Sequence, residues 1–302
     1  MFGYALVLLA VFATTLIATP ILSKFAPRLG AIAFPSARSV HDKPMPLIGG
    51  IAMILGLTAG LLVAMSIGQF DEMFRGSTEP LALILSAGII VFVGFVDDIR
   101  EVSPPAKVAG QVLAGSVMSL LGLSMLYFRV PFASFDYIVL SPDLAPILTV
   151  ITVVVLANAI NLIDGLNGLA AGICAIAGSA LFLYSDRLFK AGLLEGNNLG
   201  PLIAIITVGM ALGFLPFNFI KPMSFMGDSG ALLLGLMLAA TTVSVGGRVA
   251  DQFSGQTYFF FAPLFIPLVI LGVPLADTLF SFGRRVVRRK SFSVADKDHM
   301  HH

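Results

Sequence analysis

The 302-residue sequence predicts an all-α polytopic membrane protein, and three observations carry that prediction. Apolar residues make up 57% of the chain, while Asp, Glu, Lys and Arg together reach only 12%. A water-facing domain carries about 25% charge. Apolar runs long enough to cross a bilayer recur from one end of the chain to the other. Lys and Arg are also split unevenly between alternate connecting loops, as positive-inside topology requires.

Nine spans are expected, near residues 2–22, 47–67, 80–96, 108–126, 145–163, 169–185, 199–217, 229–247 and 257–282. The first lacks a basic stretch before it and a small-residue cleavage site after it, so it reads as a transmembrane helix rather than a removed signal peptide. The second opens on Gly49 and Gly50. The third is short and ends on Asp97, and the fourth opens after Pro104 and Pro105 with Lys107 in its lead. Only residues 164–168 separate the fifth from the sixth, so this pair is where a miscount is most easily made. The eighth follows Asp228, which stands between two small residues after Gly227, and the ninth contains Asp277. The single cysteine, Cys174, lies in the small-residue run 170–180 and reads as packing; no disulfide can form within the chain.

Between spans, the loops after the odd-numbered ones hold 13 of the 18 Lys and Arg residues. Those loops are expected in the cytoplasm, with the N-terminus outside and the C-terminus inside. All four histidines, His41, His299, His301 and His302, fall on the same expected side. The outer loops carry interfacial aromatics and no evident chemistry. The net charge of +1 comes without a basic stripe, so nucleic acid is not an expected partner.

The inner loops carry the candidate chemistry. After the first span come Arg38, His41 and Lys43 among prolines, then the Gly pair; backbone amides at such a helix start suit anions. After the third, Asp97, Asp98 and Glu101 fall within five residues. Adjacent ionised carboxylates repel each other, and they are costly at the mouth of an apolar segment unless a cation binds. After the fifth come Asn158, Asn161 and Asp164, polar groups at a span end that need partners. Helix–helix hydrogen bonding is the plainer account of them. After the seventh comes Asp228. The last loop holds the basic cluster at 284–290, a topology signal or a contact with anionic membrane lipids, followed by the histidines. Together these loops offer carboxylates for a divalent cation and Arg, Lys and His for phosphates. Mg²⁺ commonly takes one or two carboxylates plus phosphate oxygens and waters. Metal-assisted phosphoryl transfer at the cytoplasmic surface is the natural reading.

The strings G-F-V-D-D-I-R-E, N-A-I-N-L-I-D-G-L-N-G-L-A-A-G, F-M-G-D-S-G, P-L-A-D-T-L and D-K-D-H-M-H-H occur in this order. They resemble the polyprenyl-phosphate N-acetylhexosamine-1-phosphate transferases, and among these the bacterial WecA/TagO branch, over roughly residues 34–302. The resemblance implies one transferase domain over residues 1–302 in the bacterial inner membrane. It also implies transfer of an N-acetylhexosamine-1-phosphate, GlcNAc-1-phosphate first, from a UDP-sugar to undecaprenyl or decaprenyl phosphate, with release of UMP. The expected cofactor is Mg²⁺, or Mn²⁺ in its place. By resemblance, Asp97, Asp98 and Asp228 are catalytic, with Asp228 and Asp98 at the metal. Asn161, Asp164, Phe225, Arg38, His41, Lys43, His299, His301 and His302 contact substrates, with Phe225 stacking near uracil; Lys107, by its place opening the fourth span, reads as a further phosphate partner.

The pattern is not matched throughout. Glu101 replaces a usual Asp, giving D-D-x-x-E; Asn167 stands where Asp is common, Phe34 where an acid is common, and Lys297 where Arg is usual. Relatives of this kind continue past the His motif with at least one further span, so the chain is expected to be a truncated form. A homodimer is compatible with the sequence and not required by it. Within the family the alternative is a phospho-MurNAc-pentapeptide transferase. Outside it, the alternative is an ion-coupled transporter, which would place its acids near the midplane, whereas these lie at span ends except Asp277.

Overall fold

A computed structural model describes residues 1–35, 43–128, 138–219 and 222–248. The expected ninth span and Asp277 lie outside the described residues, as do Arg38, His41, His299, His301 and His302.

The chain opens on the apolar helix α1 (Phe2–Ser23) and the short α2 (Ala26–Leu29). Strands β1 (Ile32–Ala33) and β2 (Met45–Pro46) pair antiparallel, Ile32 opposite Pro46 and Ala33 opposite Met45. Helix α3 (Gly49–Met65) is followed by a 3-10 turn at Gly68–Phe70 and by α4 (Asp71–Phe74), bent 93° away from it. Then come α5 (Glu79–Ile99) and α6 (Pro104–Leu120). A small ribbon of β3 (Tyr127–Phe128) and β4 (Ile138–Val139) leads to α7 (Leu144–Ile163) and α8 (Leu169–Lys190). Helix α9 (Gly200–Phe214) ends in a 3-10 turn at Leu215–Phe217, and α10 is Gly227–Val245.

Among the described residues six helices are long and apolar enough to cross a bilayer, or seven if bent α3 and α4 form one span. This is fewer than the eight spans expected before residue 248. The difference lies at α3 and α6, each 17 residues long. Helix α6 was expected over 108–126 but begins at Pro104, because a proline needs no partner for a missing N–H in a first helical turn. It stops at Leu120, where Gly122 turns the chain with φ 104°. The nearly continuous run from 145 to 185 does form two helices, α7 and α8, with a tight turn between them.

Helix α10 is the axis of the bundle, packed against α3, α5, α7, α8 and α9. Every one of its residues except Asp228 is buried. In lipid the driving force for helix association is close packing rather than hydrophobicity, so small residues mark the seams. A Cβ on Gly235 would lie 2.5 Å from the Ala157 Cα of α7. On the other side α1 packs with α3 and α9, where a Cβ on Gly213 would meet the Phe12 carbonyl at 2.7 Å.

Hydrogen bonds show that α5 and α10 run antiparallel: the last turn of α5 meets the first of α10, and Glu79 at the start of α5 meets Arg248 beyond the end of α10. The described parts of the loops after the first, third, fifth and seventh expected spans thereby gather at one end of the bundle. At the other end Arg248 pairs with Glu79 and donates to the carbonyls of Gly122 and, at 3.3 Å, Ser124. There too Asn198 accepts from the Gly200 N–H at 2.8 Å and donates to the Ser244 carbonyl at 2.7 Å.

Candidate active site

The first end is built on the last turn of α5. Successive residues on a helix point about 100° apart, so Asp97 and Asp98 face different partners. Asp98 turns to the start of α10: its Oδ1 accepts the Asp228 N–H at 2.7 Å, and its Oδ2 accepts the Ser229 N–H at 3.2 Å and the Ser229 hydroxyl at 2.7 Å. Asp97 turns to α6: it accepts the Val102 N–H at 2.7 Å and forms an ion pair with Lys107. Lys107, in the first turn of α6, also pairs with Asp228, and so bridges the two carboxylates.

Glycines permit this closeness. Gly94, one turn before Asp98, lies so near α10 that a Cβ would fall 2.5 Å from the Ser229 Cα and N. Gly227 has φ +70°, in the left-handed region that glycine tolerates, and a Cβ there would strike Asp98 Oδ2 at 2.6 Å. The side chains of Lys107, Asp97 and Asp228 keep 19%, 12% and 29% of their surface exposed. They are partly exposed rather than sealed in a core.

Asp164, directly after α7, joins the same field. Burial pushes its carboxyl well above the ordinary range, and the neighbouring Asp228 and Asp98 charges add to that shift. Asn161 sits one turn earlier in α7. Neither Asn161 nor Asp164 makes a side-chain hydrogen bond or ion pair with another described residue. By contrast Asn158 exchanges hydrogen bonds with Gln111 of α6, at 2.5 and 3.3 Å, and donates to the Val154 carbonyl at 2.7 Å. Asn158 therefore takes the plainer role, joining two helices.

A second layer of contacts at the same end comes from the α9–α10 connection. Asn218, 3% exposed, accepts the Gly168 N–H at 2.7 Å and donates to the Ser224 carbonyl at 3.1 Å. Phe225 donates its N–H to the Pro46 carbonyl at 2.8 Å, tying this connection to the first inner loop. Phe225 is thus three residues before Asp228 on an anchored strand-like segment, and Lys43 stands exposed two residues before β2.

The structure thus brings Asp97, Asp98, Lys107 and Asp228 into direct contact and sets Asp164 near Asp228 and Asp98, with Asn161 one turn earlier in α7. Sequence reasoning missed Ser229, Asn218 and Gln111. Gln111 was legible in principle: an amide inside an apolar run must find a partner. Ser229 and Asn218 gave no periodic signal, because their partners come from distant segments.

One ammonium bridges the Asp97 and Asp228 carboxylates, with the Asp98 carboxylate against the neighbouring first turn of α10, an arrangement that favours uptake of cationic charge. Among the described residues no group of three or more His, Cys, Asp or Glu side chains is placed to hold a metal ion. The donor set suits Mg²⁺, which keeps positions for water and phosphate oxygens and needs only one or two carboxylates.

The model for glycosyl transferase family 4 matches residues 80–246, more than half of the chain. The chain belongs to glycosyl transferase family 4. This family member is 34% identical over 303 residues to the decaprenyl-phosphate N-acetylglucosaminephosphotransferase of Mycobacterium leprae, covering 99% of this chain and 76% of that protein. It is 36% identical over 289 residues to a probable undecaprenyl-phosphate N-acetylglucosaminyl 1-phosphate transferase of Bacillus subtilis, covering 96% of this chain and 74% of that one. A phospho-N-acetylmuramoyl-pentapeptide-transferase of Mycobacterium bovis is 30% identical over 313 residues, covering 92% and 84%.

Proposed function

We propose that this family 4 member transfers N-acetylglucosamine-1-phosphate from its UDP-sugar to polyprenyl phosphate, releasing UMP, at the site around Lys107. The observation that carries the reading is the bridge from Lys107 to Asp97 and Asp228, with Asp98 and Asp164 adjacent, at one end of a membrane-spanning bundle. The identity of 34–36% to the two N-acetylglucosamine enzymes, against 30% to the pentapeptide transferase, supports the choice of sugar. The Lys and Arg distribution supports a cytoplasmic site in the bacterial plasma membrane.

In the reaction an oxygen of the polyprenyl phosphate attacks the β-phosphorus of the UDP-sugar. A new phosphorus–oxygen bond forms, the bond to the α,β-bridging oxygen breaks, and its electron pair leaves with UMP. The second pKa of a phosphomonoester is about 6, so the nucleophile is already mostly a dianion near neutral pH. A general base is then not required, and proton acceptance is at most a secondary role for Asp97. Asp228 would hold Mg²⁺, with Asp97 across Lys107 on the same open side. When bound, the ion neutralises diphosphate charge as a Lewis acid. Lys107 offers an ammonium that can exchange one carboxylate for a phosphate oxygen, and Asn161 and Asp164 offer open hydrogen-bonding groups to the nucleotide half. Phe225 offers an aromatic face. Arg38, His41, Lys43, His299, His301 and His302 would supply further phosphate contacts.

The test is incubation of the purified chain with UDP-GlcNAc, polyprenyl phosphate and Mg²⁺, scoring UMP and the lipid diphosphate. Both should accumulate together and stop when EDTA is added. Transfer from UDP-MurNAc-pentapeptide alone would overturn the choice of sugar, and ion flux without UMP would overturn the enzyme reading.

A further inference from the structure

Asp97 and Asp98 are neighbours in sequence and are treated as a pair by any reading of the motif, yet their surroundings differ in kind. Asp97 pairs with the Lys107 side chain, and through it meets Asp228, its one backbone partner being the nearby Val102 N–H. Asp98 faces backbone: both of its oxygens are occupied by the first N–H groups of α10 and by the Ser229 hydroxyl. The first N–H groups of a helix have no partner within it. They are commonly satisfied by a residue just before the helix, but α10 has no such side-chain cap of its own, its N-cap residue being Met226. A carboxylate brought from another helix does the work instead, and its negative charge suits the positive end of the helix dipole.

We infer that Asp98 is a positioning residue: it clamps the first turn of α10 and so fixes where Asp228 meets Lys107. Ser229 is the other half of the clamp. The surrounding glycines fit this assignment. A side chain at Gly227 would collide with the Asp98 carboxylate, and one at Gly94 or Gly50 would collide with the backbone of residues 229–230, at 2.5–2.6 Å in each case. The sequence keeps this contact clear from three directions. Labour is thereby divided within one acidic pair, Asp97 setting the side-chain network and Asp98 the backbone that carries Asp228.

The kinetic part of the test rests on the transferase reading, and a second measurement does not. UMP release is followed for Ser229→Ala, Asp98→Asn and the double variant. A hydrogen bond to a charged group is worth a tenfold effect or more, so Ser229→Ala should lower kcat about tenfold with the KM for UDP-GlcNAc within twofold. On the Asp98→Asn background the same change should cost less than twofold, since the clamp is already broken. In parallel, hydrogen exchange is measured on the peptide spanning residues 226–231. Exchange should quicken in Asp98→Asn and Ser229→Ala, and stay at the parent rate in Asp97→Asn. If Ser229→Ala keeps kcat within twofold, if the two costs multiply in the double variant, or if exchange is unchanged in Asp98→Asn, the clamp is wrong. Absence of UMP release in the unsubstituted chain would instead sink the transferase reading and leave the exchange result to decide the clamp.

Discussion

The two ends of the bundle are made from the same helices and solve the same problem in opposite ways. At the end holding Arg248, charge is matched: one guanidinium faces one carboxylate and two carbonyls, and Asn198 closes the gap between α9 and α10. At the end holding Lys107, among the described residues one ammonium is shared by Asp97 and Asp228, while the Asp98 carboxylate lies against the first turn of α10 beside them. The first end thus pairs each named charge with its own partner, whereas the second shares one cation between two carboxylates.

Substitutions at the two ends should separate activity from stability. Asp228→Asn should lower Mg²⁺-dependent UMP release at least about a thousandfold, since metal-linked charge stabilisation is worth several kcal/mol. Near-normal turnover with retained metal would refute its role. Arg248→Met should do the reverse: the stranded Glu79 should cost about 3 kcal/mol of stability, read as a lower Tm in detergent. The kcat of the surviving folded fraction should stay close to the parent's. If Arg248→Met instead lowers kcat at constant Tm, the two ends are not functionally distinct.

A sharper comparison lies along α5 itself. Gly94→Ala should drive a methyl into the Ser229 backbone and cost about 1–3 kcal/mol, with a parallel loss of kcat. Gly88→Ala, one and a half turns away, meets nothing within 4 Å and should be neutral or stabilising by about 0.5–1 kcal/mol. Equal Tm values for the two variants would show that the approach of α5 to α10 is looser than described.

The smallest effect concerns pH. The folded chain holds the Asp164 proton more tightly than the unfolded chain, because burial raises this carboxyl well above its ordinary value. The folded state then binds more protons between the two values, so stability falls as pH rises through that window. Asp164→Asn removes this slope and should raise Tm more at pH 8 than at pH 5. An unchanged difference across that range would show that Asp164 is not held protonated.

Much of this was legible beforehand because it is local. Length and hydropathy marked the long helices, and the polar residues grouped at alternate span ends include Asp97, Asp98 and Asp228, which the structure brings together. Helix ends were less legible: α6 began where Pro104 allows, four residues ahead of its apolar run. The site's inner wiring was hidden for another reason. That Asp98 grips a backbone 130 residues away while Asp97 grips a lysine 10 residues away depends on which way each side chain turns at the close of α5. No periodicity in a single segment records that.

Helix α10 has one further consequence. Of an 18-residue stretch of α10, 94% is buried, against 28% of a like stretch of α1. A helix with no face left for lipid cannot settle into place alone; it must be received by a socket that α3, α5, α7 and α9 have already formed. Its glycines, alanines and hydroxyl residues suit contact with protein better than contact with acyl chains. Assembly should therefore run from the outer helices inward. Asp228 would enter the site last, and the acidic centre would exist only once the whole bundle has closed.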